Sequence, residues 1–273
     1  LKYIYDGVIA KSKAFGISFP NEQIENNWRG DMQHFVANFK KLDIDMVTEK
    51  HFLFEVDKDI WLQGYIDAMF KNENGNITIL DWKTSSKFTG QKLKEAGRQL
   101  LLYKLAIESL TGKTVDKVAW FMIKYVYVKY GNRKRMCSRR KWVQEMKNPI
   151  MTQLKKLDNE QFVNEFMIEE AIKNNNLDNL PKEVQDIFTL EDCILYYEYT
   201  DEDIKECIEY IKNTVKLATT DTDWKPVEIN KGTEFFCNVL CNHRETCKYL
   251  KAYKGEDISL DNDVVADLMD LFN

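Results

Sequence analysis

Long apolar runs are missing from this chain of 273 residues, and none approaches the ~20 residues that a membrane-spanning helix needs. No secretory signal pattern opens it. Cysteine is sparse, with six residues, whereas a secreted scaffold stapled by disulfides is smaller and denser in cysteine. An intracellular, cytoplasmic protein with no membrane partner is the expectation. Proline is nearly absent, with four residues, and neither a low-complexity linker nor an internal repeat cuts the chain into independent domains. Positive charge is not in excess: 39 Lys and Arg against 44 Asp and Glu leave a formal net charge of −5. Overall charge therefore does not mark a nucleic-acid binder, and any such role must rest on local clustering. A phosphate-binding Gly-x-x-x-x-Gly-Lys-Ser/Thr loop is also missing, which excludes a nucleotide-driven motor of that type.

What is present is 44% hydrophobic and 12% aromatic, enough for one large core or a core with a helical appendage. Ile24, Trp28, Met32, Phe35 and Phe39 recur at spacings of three and four, the period of an amphipathic helix from an Asn21 N-cap to about Leu42. Phe52–Phe54, Ile60–Phe70 and Ile77–Thr84 read as strands. Gln91–Leu110 is a second amphipathic helix ended by Gly112, and Val118–Tyr130 reads as one or two strands. Residues 148–173 and 201–218 read as helices. The order helix, three strands, helix, strand predicts an α/β core with helices added after it. Residues 1–45 form a helical lead-in, 46–147 the core, 148–224 a helical region and 225–273 a cysteine-bearing segment and tail, all expected as one integrated domain.

The stretch GYIDAMFKNENGNITILDWKTSS, from Gly64 to Ser86, carries charges where a buried hairpin should be apolar. With a three-residue loop of Glu73, Asn74 and Gly75, the last left-handed, Asn72 faces Asn76 and Asp67 faces Asp81. Opposed residues stand ~4.5–5.5 Å apart at Cβ on one face, and Lys83 shares that face by alternation. Two carboxylates so close repel one another, and a divalent cation between them removes the conflict; hard oxygen ligands suit Mg²⁺ or Mn²⁺. A two-residue turn at Asn74-Gly75 would instead set Asp67 against Trp82 and dissolve the pair. Glu49 and Glu55 precede the hairpin, Glu49 as a candidate further ligand and Glu55 as a solvent-facing residue.

Four short motifs stand in order along this region: Gly30-x-x-x-His34 on a helix, Gly64-x-x-Asp67 on a strand, Asp81-Trp82-Lys83-Thr84 on the next, and Gln99-x-x-x-Tyr103 on the following helix. Together they resemble the PD-(D/E)XK nuclease superfamily, and within it the RecB-like exonucleases. The resemblance covers roughly residues 30 to 105. It implies a mixed central sheet flanked by helices and a metal-dependent DNA exonuclease acting on single strands or DNA ends in replication, recombination or repair. An endonuclease or flap-cutting role and a non-catalytic nucleic-acid-binding subunit are the alternatives. It also implies that His34, Asp67, Asp81 and the Trp82 backbone carbonyl hold the metal, that Lys83 orients the attacking water or stabilises developing charge, and that Gln99 and Tyr103 help place the strand. With no motor loop of its own, such an enzyme would take any unwinding from a helicase partner.

Cys237, Cys241 and Cys247 fall within eleven residues. Many RecB-like nucleases, AddB-type and CRISPR-adaptation enzymes among them, bind a [4Fe–4S] cluster with three C-terminal cysteines and one distant N-terminal cysteine. Here the first gap is three residues where two is common, and no cysteine precedes Cys137. The opening LKYIYDG resembles the segment after the N-terminal Cys-Pro of those proteins, so a fourth ligand is expected upstream of Leu1. Zinc held with His243, or simply buried thiols, are the competing readings.

Six basic residues, Arg133, Lys134, Arg135, Arg139, Arg140 and Lys141, lie close together in an otherwise acidic chain. Such a run is either a solvated face or a stripe that tracks DNA phosphates, with Tyr130 or Trp142 available for stacking. Near the C-terminus, Met269-Asp270-Leu271-Phe272 resembles the end of sliding-clamp-binding peptides, against the plainer reading of an amphipathic helix packing on its own domain.

Overall fold

The computed structural model describes residues 1–40, 44–157, 160–220 and 226–255. The sliding-clamp-like tail lies outside them. Two compact units are distinguished, Leu1–Lys216 and Leu217–Asn273.

The first unit opens with α1 (Lys2–Ala14), which buries none of its side chains, and α2 (Glu22–Asn38). Asn21 caps α2 as its side chain accepts from the Ile24 amide at 2.9 Å. Then come β1 (Met46–Asp57), β2 (Ile60–Lys71), β3 (Ile77–Lys83), α3 (Gln91–Thr111), β4 (Val115–Tyr130) and β5 (Arg133–Ser138). Short α4 (Trp142–Glu145) and α5 (Lys147–Leu154), α6 (Gln161–Asn174), α7 (Lys182–Gln185), β6 (Phe188–Tyr196) and α8 (Asp201–Thr220) complete the order. Gly112 closes α3 in the left-handed region at φ 66°.

The six strands form one mixed sheet in which β1, β2 and β3 are antiparallel neighbours and β3 runs parallel to β4. β3 and β5 occupy successive stretches of one edge of β4, while β6 runs along the other. The α3 helix covers one face, where Leu100 and Tyr103 pack with Ile79, Trp120 and Met122. α2 lies on the opposite face: its Phe35 meets Phe121, which in turn packs on Trp82 with ring centroids 4.5 Å apart.

A bulge in β4 governs the second core. Between the pairs Phe121↔Ile194 and Val126↔Asp192, five residue steps on β4 span only two on β6. The odd excess exchanges the faces. Trp120 and Met122 point toward α3, but beyond the bulge it is Tyr125 and Tyr127 that do so. Val126 and Val128 then turn to the other side and pack with Trp142, Ile150 and Ile168 of the helical region.

Two expectations are corrected. Residues 148–173 are not one helix: α5 ends at Leu154, a 3-10 turn comes next at Lys155–Leu157, and α6 starts at Gln161. β6 was not foreseen, because Glu191 and Asp192 interrupt its apolar pattern; the fold pairs both with cations, Glu191 with Lys129 and Lys134 and Asp192 with Arg139.

In the second unit, a π-helical turn (Phe236–Leu240) precedes α9 (Lys248–Lys254). Among the described residues no helix is long and apolar enough to cross a membrane.

Candidate active site

The β2–β3 hairpin takes the three-residue loop. Gly75 has φ 79°, the Asn72 amide donates to the Asn76 carbonyl at 2.8 Å, and Ala68 pairs with Leu80. One further step along this register sets Asp67 against Asp81. The regular ladder stops there. In a continued ladder the Trp82 amide would donate to the Ile66 carbonyl, but it donates to Asp67 Oδ2 at 2.9 Å instead. The strands part at the carboxylates, and the Asp67 side chain replaces the missing backbone partner.

Asp81 is 1% exposed. Lys83 Nζ stands 2.7 Å from its Oδ2 as an ion-pair partner. Burial pushes the Asp81 pKa above the usual carboxylate value; Lys83 opposes that shift, and the neighbouring charge of Asp67 adds to it. Lys83 also donates to Gln99 Oε1 at 2.9 Å, and Gln99 Nε2 donates to the Tyr103 hydroxyl at 2.7 Å. One turn apart on α3, Gln99 and Tyr103 thus join the strand residues in a continuous polar chain. Burial raises the Tyr103 pKa, Gln99 opposes, and three carboxylates, Asp81, Asp67 and Glu49, raise it further.

Glu49 belongs to this neighbourhood. Thr48↔Ala68 and Lys50↔Ile66 bracket it in the β1–β2 register, opposite Asp67. It drops out of the pairing with φ 50°, a conformation that costs a non-glycine residue about 1–3 kcal/mol. Three neighbouring strands therefore each bring one carboxylate to the same level of the sheet. Two facing carboxylates, Asp67 and the buried Asp81, at a splayed strand end offer hard oxygens that suit a small divalent cation.

The motif glycines have packing reasons. A Cβ on Gly64 would come 2.9 Å from the Phe52 ring, and one on Gly30 would come 3.0 Å from Arg140 Cβ. The second close approach lets Arg140 cross α2 and reach the buried Asp31, its Nη1 donating to Asp31 Oδ2 at 2.8 Å. Asp31 Oδ1 accepts from the Arg140 amide and the Ser138 hydroxyl at 2.9 and 3.0 Å.

His34, expected beside the carboxylates, is not brought to them. It rides on α2, across the sheet from α3 and Asp81, and lines a cavity of about 330 Å³ with Arg139 and Asp192. Burial lowers its pKa to about 4, the Arg139 charge lowers it further, and Asp31 opposes. Its Nδ1 has no hydrogen-bond partner among the described residues.

The basic run divides. Arg139 is 2% exposed, and it fills the β4 bulge, with Nε donating to the Ile123 carbonyl at 2.7 Å and Nη2 to Asp192 at 2.6 Å. Contrary to the expectation of a phosphate contact, it is a structural residue held inside the fold. Lys134 pairs with Glu191 at 3.1 Å and lies over the Tyr127 ring. Arg140 is tied to Asp31, and Lys141 is 3.5 Å from Glu145. Arg133 and Arg135 are exposed. Trp142, considered for stacking, is buried and donates to the Asn175 carbonyl.

Cys237, Cys241 and Cys247 are free and partly exposed. Among the described residues, no group of three or more Cys, His, Asp or Glu side chains converges in a way that could hold a metal ion. That holds for the three thiols and equally for Glu49, Asp67 and Asp81, so the candidate cation site rests on the Asp67–Asp81 pair rather than on a converged trio.

No curated protein matches the chain. Its residues 10–248 match the model of the PD-(D/E)XK nuclease superfamily. That span takes in the whole mixed sheet with its covering helices and every strand that carries a site carboxylate, so the chain belongs to the PD-(D/E)XK nuclease superfamily, whose members are metal-dependent nucleases.

Proposed function

We propose that the protein is a DNA exonuclease of the RecB-like type, cleaving single strands or DNA ends with Mg²⁺ or Mn²⁺. The observation that carries this reading is the polar chain from Asp81 through Lys83 and Gln99 to Tyr103, set beside Asp67 where the hairpin opens. Asp67, Asp81 and the Trp82 carbonyl would hold the cation, with Glu49 at the same level of the neighbouring strand. When bound, the cation polarises the scissile phosphate and lowers the pKa of a coordinated water. Lys83, already held between Asp81 and Gln99, orients that water and stabilises charge building on the phosphate. Gln99 and Tyr103 keep Lys83 in position and present the protonated Tyr103 hydroxyl to the strand. Arg133, Lys134, Arg135, Arg140 and Lys141 supply backbone contacts to the DNA. A helicase or a sliding clamp is the class of partner that would deliver ends to such an enzyme.

The test uses end-labelled linear DNA and covalently closed single-stranded circles, each with Mg²⁺, Mn²⁺ or EDTA. The expected result is stepwise loss of label from linear DNA with metal only, intact circles, and near-complete loss of cleavage in Asp81→Ala and Lys83→Ala. Cleaved circles point to an endonuclease, and an inert wild type with intact DNA binding points to a non-catalytic subunit. Full activity in EDTA overturns the metal assignment.

A further inference from the structure

On the edge of β4, β3 ends at the pair Lys83↔Met122 and β5 does not begin until Tyr125↔Ser138. Ile123 and Lys124 lie in the gap between these two partner strands, one step beyond the catalytic lysine. The chain leaving β3 passes over the same place, with the Lys87 amide donating to the Tyr125 hydroxyl at 3.2 Å. A cavity of about 440 Å³ opens here between α2 and the β4–β5 hairpin. Its charged lining is four cations, Lys87, Lys124, Arg140 and Lys141, against two carboxylates, Asp31 and Glu145.

Those carboxylates do not neutralise the lysines of the gap. Asp31 engages Ser138 and Arg140 with both of its oxygens. Glu145 takes the Ser138 amide and stands beside Lys141. Lys124 is half-buried and Lys87 exposed, and among the described residues neither ammonium has an ion-pair partner. Both ammonium groups are therefore open to an arriving anion, with the Lys124 stem covered and its head group at the cleft. The fold thus leaves a cleft of net positive lining beside the strand end that carries Lys83, two residues along β4 from its partner Met122, and too small to enclose a duplex.

We propose that this cleft carries one nucleic-acid strand to or from the carboxylates, with Lys124 and Lys87 binding the backbone phosphate next to the scissile one. The proposal rests on the nuclease reading above and specifies its substrate as a single strand at this point. Lys124 and Lys87 act on affinity, and the chemistry stays with Asp81 and Lys83.

The experiment measures fluorescence anisotropy of a labelled oligothymidine in EDTA over a range of salt. It compares wild type, Lys87→Gln, Lys87→Gln/Lys124→Gln, and a control, Lys173→Gln/Lys182→Gln, on the far helices. The double variant is expected to bind at least about tenfold more weakly at low salt, with the slope of log affinity against log salt reduced by about 1.4, roughly 0.7 for each single-strand phosphate no longer neutralised. Lys87→Gln alone, at an exposed position, should show about half that change and covers the case in which the double variant does not fold. The control should match wild type, and unlabelled single strand should compete better than blunt duplex. Unchanged affinity and slope in both cleft variants, or equal competition by duplex, overturns the proposal even if wild type cleaves DNA. A wild type that binds oligothymidine with the expected slope but cleaves nothing with Mg²⁺ defeats the nuclease reading and leaves the cleft standing.

Discussion

Asp67 accepts the Trp82 amide across the parted end of the hairpin, at 2.9 Å, in the position where the backbone of Ile66 would otherwise serve. One carboxylate therefore has two tasks: it ends the β2–β3 ladder and it faces Asp81.

The two tasks separate by substitution. Asp67→Asn retains an oxygen for the Trp82 amide, and its melting temperature should stay close to wild type. Its cleavage rate should fall by about 10²-fold or more, the scale for losing one charge-stabilising group. Asp67→Ala should lose activity and also about 1 kcal/mol of stability, from the amide left without its partner. Thermal melts beside single-turnover cleavage check both; wild-type activity in Asp67→Asn would remove the residue from the chemistry.

Arg139 and its neighbours in the basic run should behave oppositely. Arg139→Met breaks the buried contact to Asp192 and frees the Ile123 carbonyl in the bulge, an expected cost of about 3–5 kcal/mol. Arg133→Gln with Arg135→Gln, both exposed, should change stability by less than about 0.5 kcal/mol for each residue and lower DNA affinity and its salt dependence. Urea unfolding and binding titrations distinguish the two; a stable Arg139→Met with weakened DNA binding would contradict the structural role.

Gly97 faces Tyr197 so closely that an added Cβ would lie 2.2 Å from the ring carbon Cζ. Gly97→Ala should destabilise the fold by about 1–3 kcal/mol through overpacking, despite the better helix propensity of alanine. Tyr197→Leu should relieve much of the penalty in the double variant. Denaturant midpoints of the single and double variants give the coupling, and strict additivity would mean that the ring moves aside freely.

Acid should weaken the first unit through His34. Its folded pKa of about 4 lies below the usual value, so between pH 4 and about 6.5 the unfolded chain takes up the proton and the folded protein does not. This contribution is fully present above pH 6.5 and is lost as pH falls toward 4, at a slope of at most about 1.4 kcal/mol per pH unit. The groups facing it are Arg139, Asp31 and Asp192 with Glu191 and Lys40 at the cavity. His34→Asn should flatten that part of the stability profile while leaving the Asp81–Lys83 site in place. An unchanged profile in the variant would assign the acid sensitivity elsewhere.

What the sequence determined by itself was local. Gly75 in a three-residue loop fixes the register of the hairpin as far as Ala68↔Leu80, which brings Asp67 to the level of Asp81, and alternation along β3 puts Lys83 on the face of Asp81. Helical spacing puts Gln99 and Tyr103 on one face, and Asn21 starts α2 as its composition predicts. The tertiary structure decided which of these local pieces meet. His34 has the right spacing on its helix, but the packing of Phe35 on Phe121 sends that helix across the sheet from Asp81. Arg139 reads as one of six basic residues until the β4 bulge, with its odd residue excess, turns the Ile123 carbonyl and Asp192 toward it. Glu49 reaches the site only through its pairing position opposite Asp67, and Lys124 reaches its cleft only because β3 and β5 leave a gap on β4. Turn chemistry and side-chain periodicity act over a few residues and can be read in order along the chain. The registers of distant strands, the parity of a bulge and the face chosen by a helix depend on packing between segments far apart, and no short stretch of sequence contains them.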